Sequence, residues 1–364
     1  MSVRPLIESD IPQVTDLYWK YMRGRSEPTP PGLQLLLREL YFTNPWLKGG
    51  TVPSLVYEGT GGRILGFLGV IAREMSVCGE PIRVAFGGNF VVHPEARSGV
   101  AAPGLLKAYM AGGGDILQTD SANEKWRRLL ERMGWQTIPA LNIHWARPLR
   151  PGSYAVHALS RSVGPALSAG LKLSKPFCRL VDSVAAGLPI NPFRPVKPAL
   201  QGAELDHLTL LQCLVEYREG YALWPEYDAE SLRWLLNYME RRAARGNLRR
   251  VVVRDENQKP IGWYIYYVKP GAVGEVVQVG GELKRTKDIL EHLFYDAWEH
   301  GVIALYGVVD SRRVPDFSQK GCFFTCRGGW TIAYSRKPQF LELLERGDAF
   351  LSRLDGEWCL DPGE

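Results

Sequence analysis

The chain has 364 residues, 45% of them hydrophobic and 23% charged, the make-up of a globular protein of about two domains rather than a fibrous or disordered one. No apolar run reaches the ~20 residues of a spanning helix; the longest, Ile64 to Ala72, is closed by Arg73 and Glu74. The early charges Arg4, Glu8 and Asp10 leave no secretion-like segment, so a cytoplasmic protein is expected.

In chain order, Val3 to Ile7 reads as a strand. Ser9-Asp10 before Pro12 opens a helix carrying Val14, Leu17, Tyr18 and Tyr21, and a second helix spans 32–41. Strands follow at 54–58, 64–75 and 82–92, then a helix around Leu105, Leu106 and Tyr109, a strand at 116–119, a helix at 123–132 and a strand at 136–145. Prolines 148, 151, 165, 176, 189, 192, 195 and 198 then exclude any long helix or buried strand. Between Arg147 and Leu200 there are eight basic residues and one acid, Asp182, so the net charge of +5 is concentrated in this stretch. A nucleic-acid surface spreads its basic residues over a folded face, so the excess marks a linker and no nucleic-acid partner is expected. The linker's apolar residues recur at helical spacing as short amphipathic helices. Interrupted by Lys172, Lys175 and Arg179, they suit either packing between two folded units or association with an anionic membrane surface.

After the linker the element order repeats. Helices at 208–221 and 229–242 precede strands at 249–254, 261–268 and 274–279, a helix at 286–300 and a strand at 303–309. Arg63-Ile64-Leu65-Gly66-Phe67 matches Lys259-Pro260-Ile261-Gly262-Trp263, and Thr119-Asp120-Ser121 matches Val309-Asp310-Ser311, in the same order at similar spacing. A duplicated α/β (α+β) fold is expected, divided as 1–148, a basic Pro-rich linker 149–200, and 201–364. The six cysteines exclude a disulfide framework, and no second Cys/His pair joins Cys322 and Cys326. These two read as free thiols around a strand, and no metal is expected.

The segment Asn89 to Leu106 carries the chemistry. A strand ends at Pro94, a loop of small residues runs from Arg97 through Ser98, Gly99, Val100, Ala101 and Ala102, and a helix starts with unpaired N–H groups. Free N–H groups and the helix dipole favour phosphate there. This stretch resembles the acyl-CoA pyrophosphate loop of the GCN5-related N-acetyltransferase (GNAT) superfamily. The helix-four run from Asn123 to Met133-Gly134-Trp135 is similar to that family's as well. The sequence departs from the family pattern in the loop, where alignment on Leu105-Leu106 puts Val100 at a usual glycine and alignment on Gly99 leaves the loop one residue short, and at Leu130, where many members place a tyrosine that protonates the departing thiolate.

The resemblance implies two tandem GNAT-like domains, each a mixed, mostly antiparallel sheet flanked by helices. It implies an acyl-CoA-dependent N-acyltransferase that transfers an acetyl or other acyl group to a small-molecule amine. Val91 and Val92 would hold the pantetheine arm, Arg97 to Ala102 the pyrophosphate, and Asn123 would touch the coenzyme. Asp120, at the end of the fifth strand, is the candidate base; as single residues, Asp120 and Asn123 read equally as helix caps. The corresponding loop of the second half, Gly280 to Thr286, contains Glu282, which repels phosphate, so that half is expected not to bind the coenzyme. The alternative is a GNAT-like binding or scaffold protein without catalysis.

Overall fold

The computed structural model describes residues 2–49, 52–97, 99–162, 182, 193–194, 196–218, 220–326 and 329–362. These form two compact units. One is 1–142, 220–238 and 328–364; the other is 143–219 and 239–327. The sequence suggested contiguous halves at 1–148 and 201–364, whereas each unit here draws segments from both halves. Most of the linker, including Lys172, Lys175 and Arg179, lies outside the described residues. Its first helix, α5 (Pro151–Ser162), is built into the second unit, with the Asp182 carboxylate accepting from the N–H groups of Gly152 and Ser153 at 2.8 Å.

In the first unit β1 (Ser2–Pro5), β2 (Leu55–Glu58), β3 (Ile64–Val77), β4 (Glu80–Val92), β5 (Ile116–Ala122) and β6 (Gln136–Thr137) alternate with α1 (Ile11–Leu17), α2 (Pro31–Phe42), α3 (Ala101–Ala111) and α4 (Glu124–Arg132). The strand expected at 136–145 breaks after Thr137, because Pro139 starts a 3-10 turn and Asn142 is buried. Its second part, β7 (His144–Pro148), belongs to the other sheet, and Trp330–Tyr334 inserts between β5 and β6. The Asn142 side chain secures that insertion: its amide donates to Ile138 O at 2.6 Å and its oxygen accepts from Thr331 N at 2.7 Å.

Period-two burial sorts β4 between two cores. Ile82, Val84 and Phe86 join Ile138, Ala333 and Phe340 on one face, while Ala85 joins Leu105, Leu106 and Tyr109 of α3 on the other. Gly66 packs against Leu105, where an added Cβ would meet Leu105 Cδ1 at 3.0 Å.

β9 (Leu223–Pro225) pairs with β3 in the first unit, and the second unit repeats the plan with β8 (Gln201–Glu204), β10 (Asn247–Arg254), β11 (Pro260–Val268), β12 (Val273–Gly281) and β13 (Ala304–Val308). As β4 runs parallel to β5, β12 runs parallel to β13. β13 is completed by antiparallel pairing with β7. The duplicated mixed α/β architecture read from the two matched peptides is therefore present. No helix among the described residues is long and apolar enough to cross a membrane. Phe323–Thr325 forms a short strand between Cys322 and Cys326, both free thiols; burial pushes Cys322 up to about 12.

Candidate active site

β4 and β5 pair only from Val84 to Phe86 against Ile116 to Gln118, although β4 stays paired with β3 as far as Val92. A β-bulge separates them. The β3–β4 register shifts between Phe67 and Gly69, and Asn89 takes a φ of 52°, in the left-handed region that asparagine tolerates better than most residues. The bend leaves the β5-facing backbone of Gly87 to Val92 without strand partners. Gly87 and Gly88 let two side chains close on this edge: a Cβ on Gly87 would meet the Tyr109 ring at 3.0 Å, and one on Gly88 would meet Glu357 Oε2 at 2.8 Å.

A cavity of about 1130 Å³ fills the opening. Its walls include Ala102, Leu106 and Tyr109 of α3, Trp126, Leu129 and Leu130 of α4, and β4 from Gly87 to Val92. Phe90 stacks on Trp126 with ring centres 4.4 Å apart. Arg97 lies on the wall, its Nε donating to Val92 O at 3.1 Å, and Lys125, Arg128 and Arg132 add basic groups from α4. Val100, the N-cap of α3, makes no side-chain cap hydrogen bond among the described residues, so the helix end is electrostatically open to an anion.

The residues singled out from the sequence fall into three groups. Arg97, Ala102, Val91, Val92 and Asn123 line the cavity. Gly99 and Val100 lie on the exposed turn before α3 and Ala101 is buried at its start; Ser98 is outside the described residues. Val100 is 70% exposed, so its branched side chain stands in solvent and leaves the helix end unobstructed. Asn123 also caps α4, accepting from Trp126 N at 2.9 Å.

Asp120 is not on the cavity wall. Strand alternation sends Thr119 and Ser121 to the cavity and Asp120 to the other side of β5, where its carboxylate abuts Gly356: a Cβ there would come within 1.6 Å of Oδ2. Burial pushes the Asp120 carboxyl up to about 6, against the opposing effects of the Trp358 N–H, Arg353 and Arg73.

Among the described residues two carboxylates line the cavity: Glu124 of α4, paired with Arg127 and Arg128, and Glu357, from a C-terminal 3-10 turn (Glu357–Leu360). The hydroxyls of Ser121 and Thr119 donate to Glu357, the latter at 3.2 Å. Burial and the neighbouring Asp120 charge raise its carboxyl well above the usual range. A carboxyl so raised is, once ionised, a stronger base than an ordinary carboxylate. No local pattern marked Glu357, which lies 236 positions from Ser121. The Gly87-Gly88-Asn89 triplet, which makes the bulge and admits Glu357, was the available signal.

Glu357 is held by a buried cluster. Arg73, 3% exposed, donates from Nη1 to Tyr227 Oη and Leu354 O, both at 3.0 Å, and from Nη2 to Cys359 Sγ at 3.3 Å; its guanidinium lies over the Trp46 ring at 4.2 Å. Tyr227 in turn donates to the fully buried Asp355 at 2.6 Å.

In the second unit the corresponding strand end and helix are filled by the protein's own groups. Arg313, 2% exposed, donates from Nη1 to Thr286 Oγ1 and from Nη2 to Gly281 O, both at 2.6 Å, at the start of the helix Thr286–Glu299. Trp263 occupies the room beside Gly280, where a Cβ would meet its ring at 2.2 Å.

No family model matches the sequence, and no curated protein matches it. Solved structures do. The chain is similar to a probable N-acyltransferase from Enterococcus faecalis V583 (TM-score 0.59, 11% identity, 93% of this chain and 73% of that one). A GCN5-related N-acetyltransferase from Anabaena variabilis matches with a TM-score of 0.59 and 10% identity, over 93% of this chain and 73% of that one. The chain has the GNAT fold. N-myristoyltransferase from Saccharomyces cerevisiae, solved with bound myristoyl-CoA, matches over 92% of this chain and 77% of that one, with a TM-score of 0.54 and 10% identity. At such identities the GNAT likeness is one of architecture, and the chemistry has to be argued from the cavity.

Proposed function

We propose that the first unit is an acyl-CoA-dependent N-acyltransferase and that the acceptor is an amine. The observation that carries the reading is the cavity in the β4–β5 opening, with an uncapped helix end and Arg97 on one side and a basic carboxyl, Glu357, on another. The cavity is large enough for an extended cofactor arm, at or above the usual range for small-molecule sites. Backbone groups of Gly87 to Val92, freed from β5, suit the amides of a pantetheine arm, as an added strand would. The N-terminus of α3, Arg97 and the basic residues of α4 suit its phosphates.

In the reaction the unprotonated amine attacks the thioester carbonyl, an N–C bond forms, the C–S bond breaks and CoA leaves as thiolate. Glu357 takes the proton from the amine nitrogen. Leu130 is buried where family members carry a phenol, so thiolate departure relies on its own leaving-group ability. The second unit, with Arg313 and Trp263 in the equivalent places, serves the first without binding coenzyme. The protein is proposed to act in the cytoplasm.

Melting with CoA and acetyl-CoA tests the reading. Selective binding at a hundred times Kd adds about 2.7 kcal/mol and raises the midpoint. An unchanged midpoint with millimolar CoA and its esters overturns it.

A further inference from the structure

The first cavity has a small neighbour. A second space of about 110 Å³ is bounded by Leu40 and Tyr41 of α2, Ile71 of β3, Phe86 of β4 and Leu360. The two spaces share Met22, Gly88, Asn89, Ser121 and Glu357 as wall residues. The π-type turn Tyr18–Met22 that follows α1 reaches both; beyond it the large one is walled by α3 and α4 and the small one by α2. They therefore meet at the β4–β5 opening, beside Glu357, with the small one leading away on the α2 side.

Its chemistry selects an occupant. Arg23 and Asp361 on its wall are paired with each other at 2.7 Å, and Tyr18 Oη accepts from Arg23 Nε at 2.6 Å and donates to Asp361 at 3.1 Å. Tyr41 accepts from Asn89 Nδ2 at 2.8 Å. Glu357 is already hydrogen-bonded by Thr119 and Ser121. The carboxylate of Glu357 thus stands only at the junction with the large cavity; beyond it the wall's other charges, Arg23 and Asp361, neutralise each other, and Leu40, Ile71, Phe86 and Leu360 offer apolar surface. A cavity of about 150 Å³ accommodates the six carbons of benzene, and on that scale 110 Å³ holds about four carbons.

We propose that this second cavity receives the carbon chain of the acyl group and limits the donor to short acyl-CoAs of about two to five carbons. The inference rests on the acyl-CoA reading above and adds the substrate class of the donor. Because the chain points away from the large cavity, the thioester carbonyl is left at the junction, next to Glu357.

Calorimetric titration with free CoA and with acetyl-, butyryl-, hexanoyl- and decanoyl-CoA tests it. Affinity is expected to rise from CoA to butyryl-CoA and to fall about tenfold or more at decanoyl-CoA. Ile71→Ala should move the optimum to the longer esters, and Ile71→Val should move it the same way by less while disturbing folding little. Equal affinity for CoA and all its esters, or preference for decanoyl-CoA by the wild type, overturns the inference and leaves the acyl-CoA reading standing. A change in acceptor KM with the chain-length optimum unmoved in both variants also overturns it, assigning the cavity to the amine. Absence of CoA binding overturns both.

Discussion

Glu357 and Asp120 lie at opposite ends of one electrostatic problem: two carboxyls, one on each side of β5, each raised by burial, and Glu357 raised further by the charge of Asp120. Glu357→Gln is expected to lower acyl transfer by about 10²–10⁴-fold while CoA affinity persists, the range for loss of a general base; an unchanged rate would remove Glu357 from the chemistry. Asp120→Asn should act through its neighbour. Loss of the adjacent negative charge lowers the Glu357 pKa, so the acid limb of the rate profile moves to lower pH. Stability responds too. In the folded chain Asp120 keeps its proton up to about 6 rather than the ordinary 3.8, so its contribution is complete below 3.8 and fades as pH rises through 6. Asp120→Asn should therefore raise the melting temperature more at pH 8 than at pH 4.5, and an equal shift at both would contradict a buried titrating carboxyl. Arg97→Glu, which places a negative charge at the open helix end, should weaken CoA binding sharply, whereas Lys284→Glu in the second unit should leave it unaltered.

At the scale of elements, the C-terminal turn is held by Arg73, whose guanidinium satisfies Tyr227, the Leu354 carbonyl and Cys359 while stacking on Trp46. In sequence Arg73 only closed an apolar run; in the fold it is the buried cation around which residues 352–360 are arranged. Arg73→Ala removes the cation facing Asp355 and leaves several polar groups unpaired, a loss of roughly 3–5 kcal/mol by the measure of broken buried pairs. Arg73→Lys should recover little, because an ammonium cannot span the three acceptors in one plane. Urea titration would give the loss, and hydrogen exchange should show amides of residues 352–360 opening before those of β3 and β4. A uniform decrease across the unit would mean that Arg73 supports the core generally rather than the turn that carries Glu357.

For the molecule as a whole, strand membership crosses the boundary suggested by the prolines. The first unit's sheet is completed by Trp330–Tyr334 between β5 and β6, and the second unit's by β7 beside β13. A fragment of residues 1–148 should then fail to fold, since it lacks that strand, the turn with Glu357 and the helix Pro338–Glu345 whose Phe340 and Leu341 pack in its core. Its circular dichroism and solubility would test this; a cooperative melting transition for the fragment would show that the exchanged strand is dispensable.

The periodicities, helix starts and two matched peptides were sufficient to read the α/β class, the duplication and the loop before α3, because these rest on local spacing: alternation along β4, an uncapped helix start, a cap at Asn123. The GNAT resemblance of Asn89–Leu106 and of the run from Asn123 pointed to Arg97, Val91, Val92 and Asn123, which line the cavity. What local spacing does not contain is which face of β5 meets the cavity and which distant segment pairs with it. The register of β5 turned Asp120 away and Ser121 inward, and pairing with Trp330–Tyr334 brought Glu357 from the far end of the chain. A one-residue change of strand face reverses every side chain, and long-range pairing is selected by burial over the whole sheet, so both were decided only by the tertiary structure.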